Sequence, residues 1–110
     1  MENNMAFRNE APFQVRKHIA LLNGVNVETI SANKTLVLSD STYQLLNGGG
    51  SDYDVVLPSV SDGVSFWIRN TGSTNSLVVK QGVTTKGTLT AGQAALLVCD
   101  GSNWHVVIVA

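Results

Sequence analysis

The side chains that could do chemistry are few and scattered. There are two histidines, His18 and His105, and one cysteine, Cys99. A zinc site needs several such ligands brought together, and these three stand at unrelated places in the chain. A reactive thiol needs an electropositive, exposed setting. Cys99 lies between Val98 and Asp100 in an apolar segment, so a buried, inert thiol is expected. Asp52 and Asp54 form an Asp-x-Asp that could donate to Ca²⁺. These two, with Asp62 and Asp100, read instead as caps of turns. Gly48, Gly49 and Gly50 lack the lysine and following helix of a phosphate loop. No Gly-x-Ser-x-Gly elbow is present to present a serine nucleophile. The expectation is a chain without catalytic residues, metal or cofactor, and not an enzyme.

Other residues point to binding. In residues 64–70, Val64, Phe66 and Ile68 alternate with Ser65, Trp67 and Arg69. A strand sends alternate side chains to opposite faces, so Trp67 and Arg69 point away from Phe66 and Ile68. An outward Trp beside an Arg suits a protein interface. Trp67, Tyr43 or Tyr53 could alternatively stack on a sugar. Residues 93–99 and 104–109 are apolar on both alternating faces. A sheet with one wet face alternates apolar with polar, so something is expected to cover the second face. A second subunit is favoured, with Trp67, Arg69, Leu97, Val107 and Val109 at the contact. The chain's own N-terminal segment is the alternative.

The elements that position these residues read as strands. After residue 33 the chain becomes a run of short apolar segments punctuated by Gly, Asn, Asp and Ser, the pattern of consecutive strands in a sandwich or barrel. Strands are expected near residues 34–38, 42–46, 54–57, 64–70, 76–80, 84–90, 93–99 and 104–109. The last two form a hairpin across Asp100, Gly101, Ser102 and Asn103, because Asp-Gly favours a turn. The fold class expected is all-β: a compact antiparallel sandwich, jelly-roll-like or barrel-like, with an extended N-terminal arm. Residues 1–33 are the arm and 34–110 the β domain. Within the arm, Phe13, Val15, Lys17, Ile19 and Leu21 alternate with Gln14, Arg16, His18 and Ala20, which favours an extended segment over a helix.

Composition narrows the partners. The 110 residues carry a net charge of -1, with 44% hydrophobic and 14% charged residues. The charged share is below the usual level of about 25%, and Ser, Thr, Asn and Gln supply the polarity. Such surface suits packing against protein, since burying an amide or hydroxyl costs less than burying a charge. No basic cluster supplies the field that nucleic acid requires. No apolar run approaches the roughly 20 residues of a membrane span. The first eight residues lack the basic and apolar regions of a signal peptide, which fits synthesis in a cytoplasm.

One ordered set of residues carries a family resemblance. It comprises Leu57-Pro58, then Gly63 to Asn70 with Thr71, Gly72 and Ser73. Leu77 to Val79, Leu89 and Gly92 follow, and the set ends in Leu97 to Val106 with its Cys-Asp-Gly-Ser-Asn-Trp turn. Over about residues 34–110 this resembles a module common in tailed-bacteriophage virion proteins, including tail fibres, head fibres and capsid-decorating proteins. The resemblance implies a trimeric, all-β structural domain. Here the module is nearly the whole chain, which implies a capsid decoration (cement) protein on the outer capsid surface, rather than a head- or tail-fibre domain or a glycan- or receptor-binding tip. Its partner would be the major capsid protein, contacted by Phe7, Arg8, Phe13 and Arg16 of the arm.

Overall fold

Among the described residues the chain forms nine short strands, most of them bounded by Gly, Asn, Asp or Ser. The computed structural model describes residues 24–59 and 63–110. The strands are β1 (Val25–Thr29), β2 (Lys34–Thr35), β3 (Tyr43–Asn47), β4 (Tyr53–Val56), β5 (Ser65–Asn70), β6 (Leu77–Gln81), β7 (Thr84–Leu89), β8 (Ala94–Cys99) and β9 (Trp104–Val109). They form a five-stranded sheet in the order β1-β3-β5-β8-β9 and a four-stranded sheet in the order β2-β4-β6-β7. The all-β expectation holds among the described residues, which contain no helix.

The expectation of purely antiparallel strands does not hold. Strands β1, β3 and β5 are parallel to one another, as are β2, β4 and β6. The chain steps from one sheet to the other and back, adding one strand to each sheet per circuit. Parallel neighbours need a long crossover connection, and here that connection contains a strand of the opposite sheet. After β6 the winding stops. Strand β7 returns antiparallel beside β6, β8 antiparallel beside β5, and β9 antiparallel beside β8. The structure is a short two-sheeted winding closed by antiparallel strands.

The sheet also begins earlier than residue 34. Strand β1 pairs along its whole length with β3, so part of the segment assigned to the arm belongs to the sheet. Residues 34–38 form only the two-residue β2. Beyond it Leu36 is buried. Val37 and Asp40 then close a turn, in which Asp40 Oδ2 accepts from the Val37 N–H at 2.8 Å.

One apolar core lies between the sheets. Leu46, Phe66, Ile68, Ala95, Leu97 and Trp104 come from the larger sheet, and Val55, Leu77, Val79 and Leu89 from the smaller. Trp104 lies against Phe66 with ring centres 6.0 Å apart. Its Nε1–H donates to the Pro58 carbonyl at 3.1 Å.

The end of the core under the first circuit is closed by polar side chains instead. Asn26 Nδ2 donates to Gln44 Oε1 at 2.8 Å and to Glu28 Oε1 at 3.0 Å, and Lys34 Nζ reaches the same Glu28 oxygen at 2.9 Å. The Asn26 hydrogen bond, then the Lys34 contact, hold the Glu28 carboxyl below its ordinary value of 4.5. A depressed carboxylate contributes stability that is complete above the unfolded-state value and fades as pH falls below it. Glu28 is partly exposed, so the gain is less than about 1 kcal/mol. Glu28→Gln is therefore expected to lower stability slightly at pH 7. Its deficit should shrink when urea titrations are repeated below about pH 4, where wild-type Glu28 also protonates.

Candidate interaction surface

Register determines which side chains share the outer face of the five-stranded sheet. Val25 opposes Tyr43, Tyr43 opposes Trp67, Trp67 opposes Leu96, and Leu96 opposes Val107. Directly opposed residues point to the same side. These five make one row that crosses every strand and contains no charge. The next row runs Val27, Leu45, Arg69, Ala94 and Val109. A third is Ser65, Val98 and His105.

Solvent reaches much of this face. Val27 is 75% exposed, Val107 60% and Val25 55%; Leu96, Val98 and Val109 are exposed as well. Tyr43, Leu45 and Trp67 are half-buried among their neighbours. Single exposed apolar residues are ordinary, but a contiguous apolar face marks a site of association.

The outer face of the four-stranded sheet is different. Asp54, Val78 and Thr88 form one row and Thr35, Val56, Lys80 and Thr85 another. Lys80 Nζ and Asp54 Oδ2 form an ion pair at 3.0 Å across it. Sheets of the same domain thus carry a polar and an apolar exterior.

The expected interface residues divide accordingly. Trp67, Arg69, Val107 and Val109 lie on the apolar outer face. Leu97 does not: it is fully buried in the core, opposite Phe66 and Val106. With both faces of β8 apolar, the residue types did not reveal which set turned inward. Leu96 and Val98 take the outward place, with Val25 and Val27 of β1, none of which composition singles out. Phe7, Arg8, Phe13, Arg16, His18 and Asp62 lie outside the described residues.

The chemically capable residues are engaged locally. Asp52 Oδ1 accepts from the Ser76 N–H at 2.8 Å. Asp100 Oδ1 accepts from the N–H groups of Ser102 and Asn103, and its Oδ2 meets His105 Nε2 at 2.7 Å. The His105 hydrogen bond, with those two backbone donors, holds the Asp100 carboxyl well below the usual range. Gly101, at φ +98°, supplies the left-handed backbone that the hairpin turn demands. Cys99 is buried. Among the described residues no three His, Cys, Asp or Glu side chains gather as a metal site would require. Tyr53 is partly buried and packs against the core. No family model, curated protein or solved structure matches the chain.

Proposed function

We propose that this chain is a non-enzymatic structural protein of a tailed-phage virion, a capsid decoration module that self-associates through the outer face of its five-stranded sheet. The observation that carries the proposal is the uncharged row Val25, Tyr43, Trp67, Leu96 and Val107 across all five strands. Packing such faces around an axis hides them and leaves the polar faces of the smaller sheets outward. Three copies are the number that the phage resemblance implies. The segment before Gly24, with Phe7, Arg8, Phe13 and Arg16, would then grip the major capsid protein on the outer surface of the shell.

The register pair Tyr43 and Trp67 supports a second use of the same face, stacking on a glycan. Clear hits on a glycan array that disappear in Trp67→Ala would favour that reading over assembly.

Light scattering on the full chain tests the assembly. At tens of micromolar, the expected mass is that of three chains, or of six where two such assemblies also join. Leu96→Asp puts a charge within the row, beside Trp67, and is expected to give a folded single chain. A wild-type mass of one chain at that concentration would overturn the reading.

A further inference from the structure

Among the described residues, the apolar face ends at β9, an edge strand that no further strand of its sheet covers. Natural edges are blunted by charged residues, bulges or brevity. Strand β2 has only two residues, including Lys34. Strand β7 carries Lys86 at a register irregularity against β6, and β1 carries Glu28. Strand β9 reads Trp-His-Val-Val-Ile-Val, with no Lys, Arg, Asp, Glu or Pro. Val107 and Val109 stand exposed on the outer face, and Ile108, partly exposed, lies over Gly87 of β7 on the inner face, so the second half of β9 is apolar on both sides and open on the outer one.

The backbone bonds of β9 alternate in direction. The Asp100 N–H donates to the Asn103 carbonyl at 3.1 Å, and the Cys99 N–H turns away from β9 to the Val64 carbonyl at 2.9 Å. In an antiparallel ladder bonded and non-bonded pairs alternate. The bonded pairs between β8 and β9 are therefore Val98–His105, Leu96–Val107 and Ala94–Val109. Trp104, Val106 and Ile108 turn their N–H and C=O groups to the outer edge. The Trp104 N–H is taken by Gln81 Oε1 at 3.1 Å, which confirms its direction. Among the described residues, no partner takes those of Val106 and Ile108.

Resting on the self-association proposed above, we infer that β9 pairs with β9 of a second copy, antiparallel about a two-fold axis through Val107. This register places Val106 opposite Ile108 of the second copy twice over and satisfies all four open residues with four hydrogen bonds. Centring on Val106 would require the Trp104 N–H that Gln81 holds. Centring on Ile108 sets Val106 against Ala110, beyond the strand. A register centred between two residues opposes outward groups to inward ones. At the chosen centre Val107 meets its own copy and His105 meets Val109, so no like charges face each other. The apolar rows of the two copies become continuous across ten strands. One strand edge is small beside the roughly 1,200 Å² of a stable interface, and a two-fold contact cannot relate members of one three-fold ring, so the edge joins chains of two face-packed trimers.

Disulfide trapping on the full chain reads this register directly. Opposed residues of a non-bonded antiparallel pair lie about 4.5 Å apart between Cα atoms, within disulfide range. Cys99 is buried and leaves the background low. Under mild oxidation, most Val107→Cys chains are expected in a dimer band on a non-reducing gel. His105→Cys and Val109→Cys should each remain unlinked alone and form the dimer when mixed. Thr84→Cys, on the β7 edge, should stay unlinked. Cross-linking of Val107→Cys without the mixed pair would overturn the two-fold register, and equal linking of Thr84→Cys would mark random collision and overturn it too. No linking in a chain that light scattering finds to be multimeric would overturn the edge contact while the face reading stands. No linking in a single-chain species would overturn both.

Discussion

Trp104→Ala is expected to cost about 3–5 kcal/mol of folding stability, the range for removing a large buried aromatic. Small domains have only about 5–15 kcal/mol in total, so the variant should sit near the edge of unfolding at 37 °C. Trp104 is 2% exposed and starts the last strand, where its ring fills the space beside Phe66. Its Nε1–H also answers the Pro58 carbonyl, which would lose its partner. Trp104→Phe keeps most of the volume and loses the hydrogen bond, so it should cost clearly less. Urea denaturation followed by circular dichroism checks both. A Trp104→Ala midpoint within error of wild type would mean that the ring does not carry this end of the core.

The second large effect is expected at Asn70, a fully buried polar residue at the end of β5. Its Nδ2 donates to the Asn75 carbonyl at 2.7 Å and to the Leu89 carbonyl at 2.9 Å, and its Oδ1 accepts from the Gly72 N–H at 2.9 Å. Its own N–H and C=O bond Gln93 and Gly92. One side chain thus ties the turn after β5 to the end of β7 in the other sheet. Asn70→Ala orphans three backbone groups, each costing about 1–3 kcal/mol when buried; a loss of about 3 kcal/mol is expected after relaxation. Asn70→Asp should be worse at neutral pH, because a carboxylate oxygen then faces two carbonyl oxygens. That carboxyl would have a raised folded-state value, so its penalty should shrink as pH falls and a donating O–H returns. A pH-independent deficit in Asn70→Asp would contradict this bonding pattern.

Strand positions were largely legible in the sequence. The sequence marks residues 104–109 to the residue, and β3 to β8 within one or two, because Gly, Asn, Asp and Pro punctuate the apolar runs. Pairing was not legible. A connection that carries a strand of the opposite sheet has the same local pattern as a meander, so nothing local distinguishes a winding from an antiparallel sandwich. Strand β1 was hidden because Asn26 and Glu28 point inward to the polar end of the core, where an interior strand would show apolar residues. The outward Trp67 and Arg69 were legible from clean alternation in β5. The phase of β8 was not, since Leu96 and Leu97 are equally apolar; only the pairing Phe66–Leu97 decides it. The doubly apolar hairpin did identify the sheet that bears the exposed face.

Trp67 reports on the central claim most directly, because it lies in the middle of the apolar row while Trp104 is sealed in the core. Acrylamide quenching of tryptophan fluorescence can be followed from nanomolar to tens of micromolar chain. If the sheet faces pack together, Trp67 is expected to be shielded at high concentration and to become quenchable on dilution, with Leu96→Asp quenchable throughout. A Trp67 signal equally accessible at every concentration, in wild type and variant alike, would contradict burial of this face by other copies.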